Sequence, residues 1–372
     1  MALRSIRVTH IVSGDLWGGA EAFVYALAEE QQRQSPGNVS CVVMNPGRLA
    51  DELQRAGITT EIMDETRAST WQLASNIARH VRSFQPDVVH AHRHKENFLA
   101  LLATQQARCR VGRVTTVHGL SEPVHRGNKA RAALKNLVNR AVLNYGFDAV
   151  VGVSRDIAAR LQSTFRRTRA LAIHNGVTVP RSAPPKIVTT DRPLHLVALG
   201  RLVPIKRFER LKDLYFAISN SPIGPARITL AGDGPLMQTL RQSFAAETQI
   251  AMPGFVANTA SLLDEADGLV MTSDHEGIPM SALEALARGI PVFGFAVGGL
   301  PEIAAPSLPL HLAQPYDTQA LANSIVEFFS RNAPGVRITP PANWSFDIRT
   351  CADRYSALYL QVLHSPPHRS AR

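Results

Sequence analysis

The 372-residue chain predicts an α/β fold made of two doubly wound, Rossmann-like halves. Three observations carry that expectation. Short β-rich runs alternate with helical stretches from the first residues onward. The rhythm breaks once, at Pro180-Arg181-Ser182-Ala183-Pro184-Pro185, which reads as an interdomain linker. It then restarts and runs almost to the end of the chain.

In the first half, strands are expected at 6–12, 39–44, 59–62, 87–91, 111–117, 148–153 and 170–173, with helical patterns filling most of the gaps. In the second half they are expected near 194–199, 226–231, 249–252, 268–271 and 291–293. The domains are therefore 1–180 and 181–344. From Trp344 to Leu363, the residues Ile348, Cys351, Ala352, Tyr355, Leu358, Tyr359 and Val362 recur at helical intervals and predict one amphipathic helix. Two such domains facing each other create a cleft at the carboxyl ends of both sheets, where α/β proteins bind ligands.

Composition narrows the class. Hydrophobic residues make up 45% and charged residues 19%, as in a soluble globular protein. The three cysteines, Cys41, Cys109 and Cys351, are far apart and odd in number. They support neither a disulfide framework nor a zinc site, and a reducing compartment is the simpler reading. No apolar run approaches the length of a membrane span. The stretch Val8-Thr9-His10-Ile11-Val12 is too short for a signal sequence and reads as the first core strand, so a cytoplasmic location is expected.

The net charge of +10 is uneven. Residues 1–180 hold 23 Lys/Arg and 14 Asp/Glu, a balance of +9, and residues 181–372 hold 17 and 16, a balance of +1. Within 93–169 there are 15 basic and 4 acidic residues, or +11. Arg126, Lys129, Arg131, Lys135 and Arg140 surround Ala130, Ala133, Leu134, Leu137, Val138 and Ala141, a basic amphipathic helix. It is either packed on the core with a solvated basic face, or it meets anionic head groups or the diphosphate of a lipid-linked acceptor. Nucleic acid is disfavoured, because few aromatics interleave with the basic residues and no DNA or RNA motif is present.

The most informative stretch is Ser273-Asp274-His275-Glu276-Gly277-Ile278-Pro279-Met280-Ser281-Ala282-Leu283-Glu284-Ala285-Leu286-Ala287-Arg288-Gly289-Ile290-Pro291-Val292. Glu276 falls in a loop after a buried strand, and Glu284 falls in the helix that follows. Gly277 and Pro279 place backbone N–H groups at the start of that helix, a ready anion site. Eight helical residues would rise about 12 Å. A retaining glycosidase needs its carboxyl groups at roughly 5 Å, so that reading is poor. Two hydroxyl-bearing rings at either end of a phosphate linker suit the spacing better. The plainer alternative is a cap at Glu276 and a solvated face residue at Glu284.

Arg201 and Lys206 lie five apart in Gly200-Arg201-Leu202-Val203-Pro204-Ile205-Lys206, across a loop that follows a strand. Two cations there can neutralise a departing diphosphate, or form a solvated basic loop. Gly18 and Gly19 follow the first strand and allow close approach to an anion, although the loop lacks the GxGxxG spacing of a nicotinamide site. His118 ends a predicted strand at the cleft edge, where a lone histidine is more often structural than catalytic. No Asp-X-Asp occurs, so a bound Mg²⁺ or Mn²⁺ is not implied and no cofactor is expected.

Taken together, E-G-x-P followed by E-A-x-A-x-G-x-P-V, with G-R-L-x-x-x-K and G-G-x-E upstream, resembles the retaining glycosyltransferase family 4, which has the GT-B fold. The resemblance implies that Glu276 meets the donor sugar and Glu284 the nucleotide ribose. Gly277, Ile278 and Pro279 belong to the same donor segment. It implies that Arg201 and Lys206 hold the donor phosphates, that Gly18 and Gly19 border the diphosphate, and that His118 lies near the reacting end of the sugar. It also implies that the 345–364 helix packs back on the first domain. The expected activity is metal-independent sugar transfer, with retention, from a UDP-, GDP- or other nucleotide-sugar to a hydroxyl acceptor. The +11 segment favours a lipid-linked acceptor and a peripheral position on the inner face of the cytoplasmic membrane. A soluble acceptor, a nucleotide-sugar epimerase or hydrolase, and a non-catalytic binder are the alternatives.

Overall fold

The computed structural model describes residues 6–14, 17–119, 129–164, 168–180 and 192–364. The chain divides into two compact units: residues 1–176 with 345–372, and residues 177–344. Each is built on one parallel sheet.

The first sheet contains β1 (Val8–Ser13), β2 (Val39–Met44), β3 (Thr59–Met63), β4 (Val88–Ala91), β5 (Gly112–Val117), β6 (Ala149–Gly152) and β7 (Arg169–Ala172). Its order is β3-β2-β1-β4-β5-β6-β7. The central strands are buried on both faces because helices cover both, as parallel sheets require. One helical layer buries Leu73, Ile77 and Val81 of the helix Thr70–Phe84 and Leu99 and Ala103 of the helix His94–Ala107. The helices Gly19–Gln34 and Ile348–His364 pack against each other. Tyr355 and Tyr359 of the latter are buried and bond to side chains of the sheet.

The second sheet contains β8 (Leu194–Leu199), β9 (Ala226–Ala231), β10 (Ile250–Gly254), β11 (Gly268–Met271), β12 (Val292–Phe295) and β13 (Leu310–Ala313), in the order β10-β9-β8-β11-β12-β13. Asp267 ties its base: Arg192 donates to both carboxylate oxygens at 2.5 and 2.7 Å, and the His195 N–H donates at 2.8 Å. Asp264 lies in the helix Thr259–Glu265 and Asp267 just ahead of β11, at the amino end of that strand.

Each strand order reverses once, between β1 and β4 in the first unit and between β8 and β11 in the second. Such switch points leave a crevice outside the carboxyl ends of the strands. Two expectations need correcting. β13 has no counterpart among the predicted strands, because its short, half-buried run Leu310-His311-Leu312-Ala313 gives little apolar signal at a sheet edge. The last helix begins at Ile348, not Trp344: the Trp344 N–H donates to the Pro341 carbonyl in a turn, and its ring is buried ahead of the helix.

Candidate functional site

In the second unit the loops after β8 and β11 are joined by hydrogen bonds. The Asp274 N–H donates to the Ile205 carbonyl at 2.8 Å, and Thr272 Oγ1 donates to the Lys206 carbonyl at 2.9 Å. Asp274 also accepts from Arg207 Nε at 2.5 Å and Arg210 Nη1 at 2.8 Å. This framework brings Lys206 Nζ to 2.6 Å from Glu276 Oε1. Ser273 Oγ donates to the same oxygen, also at 2.6 Å. Glu276 is only 7% exposed, so the pair is drawn largely out of water. Arg201, on the loop leading to Lys206, is exposed.

The Gly298-Gly299 turn fixes the backbone of Glu276. The Gly299 N–H donates to the Glu276 carbonyl at 3.0 Å. Gly298 has φ +54°, and a Cβ there would lie 2.0 Å from that carbonyl oxygen. Only glycine fits both demands. After β9, Gly232 (φ +149°) is pressed in the same way, its missing Cβ 1.9 Å from the Gly200 carbonyl oxygen.

The helix after Glu276 spans Met280–Ala287 and starts at Pro279, with no side chain capping its N-terminus. Its first N–H groups have no helical acceptor. Gly277, Ile278 and Pro279 form the turn into it, with Ile278 buried. Only the later half of the stretch from Glu276 to Glu284 is helical, so the helical rise expected between the two acids does not apply. Glu284 is half-buried on the second turn.

In the first unit Gly18 is the N-cap of the helix Gly19–Gln34. Its N–H donates to Glu21 Oε2 at 3.1 Å. Glu21 is buried and paired with Arg93. Arg126 lies outside the described residues. Lys129, Arg131 and Lys135 belong to the helix Lys129–Gly146. On that helix Leu134 is 61% and Leu137 63% exposed, and Val138 is exposed as well. Of the two alternatives for this helix, packing of these three apolar residues on the core is not what the structure shows.

His118 stands just past β5 and joins a group the sequence reading missed. Side chains alternate along a strand, so His10 of β1, His90 and His92 at β4, and Thr116 and His118 at β5 fall on one face of adjacent strands. His10 Nδ1 is 3.0 Å from His92 Nε2, and His92 Nδ1 is 3.3 Å from His118 Nε2. His10 Nε2 is 2.8 Å from Gln31 Oε1. His90 bonds to Tyr359 Oη at 2.7 Å and Thr116 Oγ1 at 2.8 Å. Burial pushes His10 down to about 4, against a hydrogen bond to Gln31 that raises it. Burial, aided by the charge of Arg93, pushes His118 down to about 3. His90 and His92 are held well below the ordinary range by burial and by their neighbouring rings. Ser13 donates to the buried Glu96 at the edge of this group. The signal was present as the alternation His90-x-His92 and Thr116-x-His118 in neighbouring strands.

The donor atoms of His10, His90 and His92 lie within 4.8 Å of one another, close enough to be tested as a metal site. The fit is poor, because all six ring nitrogens already have hydrogen-bond partners within the protein.

Two doubly wound parallel sheets, each with its own switch point, define the GT-B class. Residues 17–181 match the family model described as Glycosyltransferase Family 4, and residues 193–331 match Glycosyl transferases group 1. The chain belongs to this glycosyltransferase family. It is 28% identical over 200 residues to WcaL of Escherichia coli K12, named as a glycosyltransferase of colanic acid biosynthesis, covering 49% of this chain and 47% of that protein. It is 31% identical over 173 residues to the GDP-mannose-dependent alpha-(1-6)-phosphatidylinositol dimannoside mannosyltransferase of Mycobacterium tuberculosis H37Ra, covering 44% of each. The chain thus spans just under half the length of these relatives. In fold it is similar to Anabaena HepE in complex with UDP-glucose, with TM-score 0.78, 18% identity and coverage of 96% of this chain and 100% of HepE.

Proposed function

We propose that the protein transfers a sugar from a nucleotide-sugar donor to a hydroxyl acceptor, with retention and without a metal ion. The observation that carries this reading is the Lys206–Glu276 pair, with the exposed Arg201 on the same loop as Lys206, at the carboxyl ends of β8 and β11. An arriving diphosphate would draw Lys206 from Glu276 and share it with Arg201. The released carboxylate could then accept from sugar hydroxyls. In the transfer, the bond from the anomeric carbon to the donor phosphate oxygen breaks and its electrons leave with the diphosphate. The acceptor oxygen bonds to that carbon, and its proton passes to the departing phosphate. These two cations stabilise the charge that develops on the leaving group. Glu284 is assigned to the ribose. The UDP-glucose held by HepE supports a donor of this chemical class.

The acceptor in this reading is lipid-linked. Exposed Leu134, Leu137 and Val138 on a helix with several basic residues suit an interfacial contact, and one relative acts on a phosphatidylinositol mannoside. No described helix is long and apolar enough to cross a membrane.

The direct test is a thermal-shift screen of UDP-, GDP-, ADP- and dTDP-sugars, followed by transfer assays with and without EDTA. A ligand at a hundred times its Kd should add about 2.7 kcal/mol of stability. One nucleotide class should stabilise the chain, and transfer should survive the chelator with the α or β configuration of the donor kept. Indifference to every nucleotide-sugar would end the reading.

A further inference from the structure

The buried rings beside His118 form a chain with a direction. Gln31 presents Oε1, an acceptor, to His10, and in this arrangement His10 carries its proton on Nε2. A neutral imidazole carries a single N–H, which leaves His10 Nδ1 as an acceptor. His92 must then donate from Nε2, and its own Nδ1 accepts in turn. His118 therefore donates from Nε2 to His92 Nδ1. Its remaining nitrogen, Nδ1, is unprotonated, buried and without a hydrogen-bond partner among the described residues. Burial keeps the intervening rings neutral, and that neutrality is what makes each tautomer dictate the next.

We propose that Gln31, His10 and His92 are positioning residues that fix the tautomer of His118, so that it presents a bare Nδ1 acceptor to a hydroxyl of a bound sugar. The hydroxyl as ligand rests on the proposed sugar transfer; the tautomer control does not. The arrangement differs from a lone histidine, which could take either tautomer and so donate or accept. It also differs from a cation, because a neutral acceptor adds no positive charge to the group it meets. Phe23 holds the His118 ring edge-on at 5.4 Å, so ring reversal is hindered as well.

Nitrogen-15 NMR of the full chain labelled at histidine reads the tautomer at neutral pH without any substrate. His118 should show Nε2 in the protonated range and Nδ1 in the unprotonated range, as a single species. In Gln31→Leu the direction of the chain is no longer set, and a second species with the proton on His118 Nδ1 should appear three rings away. A role in packing alone would not move that signal. With donor and acceptor present, the same variant should lower kcat up to about tenfold, the worth of roughly one hydrogen bond, with KM little changed. The proposal is overturned if wild-type His118 carries its proton on Nδ1 or is an imidazolium. It is also overturned if Gln31→Leu folds and keeps a single Nε2–H species, or if the purified chain holds a stoichiometric metal ion at His10, His90 and His92. If Gln31→Leu does not fold, the wild-type spectrum still decides. Absence of sugar transfer with the expected tautomer in place would refute the function and leave the relay standing.

Discussion

Acidification should unfold the first unit well before carboxylates at large are protonated. His10 and His118 fall from an ordinary 6.5 to about 4 and about 3 inside the fold. Depressed histidines bind protons in the unfolded chain before the folded one, so their contribution to stability is complete above pH 6.5 and shrinks as pH falls towards the folded values. Between pH 6 and 4.5 these two residues would take up about two protons on unfolding, a slope of roughly 2.7 kcal/mol per pH unit. From pH 7 to pH 5 the cumulative loss is about 4 kcal/mol, a large part of the 5–15 kcal/mol of an ordinary domain. His90 and His92 are shifted in the same direction and steepen the slope. The assay is urea unfolding at pH 7, 6 and 5, followed by hydrogen exchange on peptides covering β1, β4 and β5. Protection there should fall steeply, while peptides from β8 and β11 lose less. A flat profile, or greater stability at pH 5, would show that these rings are already charged or solvated in the folded chain and would refute the reasoning.

Three other outcomes follow from the second unit and the exposed helix. Glu276→Ala should cut turnover on the order of 100-fold with nucleotide affinity kept, whereas Glu284→Ala should weaken nucleotide binding about tenfold, as calorimetry with the cognate nucleotide would show. Gly298→Ala should lose about 1–3 kcal/mol by denaturant unfolding and most turnover, because its Cβ would meet the Glu276 carbonyl in a left-handed backbone. Leu134→Glu and Leu137→Glu together should abolish co-sedimentation with anionic vesicles while leaving nucleotide binding intact; if the wild-type chain ignores such vesicles, the interfacial role of this helix is wrong.

Much of the architecture was legible because it is local. Apolar runs such as Val39–Met44 and Leu194–Leu199 declare buried strands by themselves, and the Pro-rich stretch at 180–185 separates the two series. The E-x7-E stretch likewise marked its own loop and helix. What stayed hidden depends on strand order. Lys206 and Glu276 are 70 positions apart, and they meet because β8 and β11 are neighbours. His10 lies 82 positions from His92, and only the insertion of β4 between β1 and β5 puts them in contact with His118. Each histidine read alone looks like an ordinary core or edge residue. Only His90 and His92 share a short spacing along the chain; His10 and His118 join them through the strand order alone. The exposure of Leu134 and Leu137 was also illegible, because a helical stripe of apolar residues looks the same whether a core or a lipid surface receives it.

The Lys206–Glu276 pair and the histidine row are buried by different physical means, and the difference bears on what each can do. In the second unit a charged pair is buried with a third partner, Ser273, on the same carboxylate oxygen. Removing Lys206 would leave a carboxylate short of compensation, a costly state, so the pair is stable only while one cation or an incoming ligand answers it. That is a site which reorganises around charge. In the first unit the buried histidines are neutral, and each of the rings from His10 to His92 is satisfied by the next. Such a row gains nothing from an arriving anion and loses its internal bonds if any ring is protonated. It can instead hold one hydrogen-bond direction firmly across several side chains. An ion pair that opens suits a diphosphate, whose charge comes and goes with the donor. A neutral relay suits a hydroxyl, which must be gripped the same way in every cycle. The lone acceptor at the end of that relay, His118 Nδ1, is therefore the atom on which the specificity of the first unit should turn.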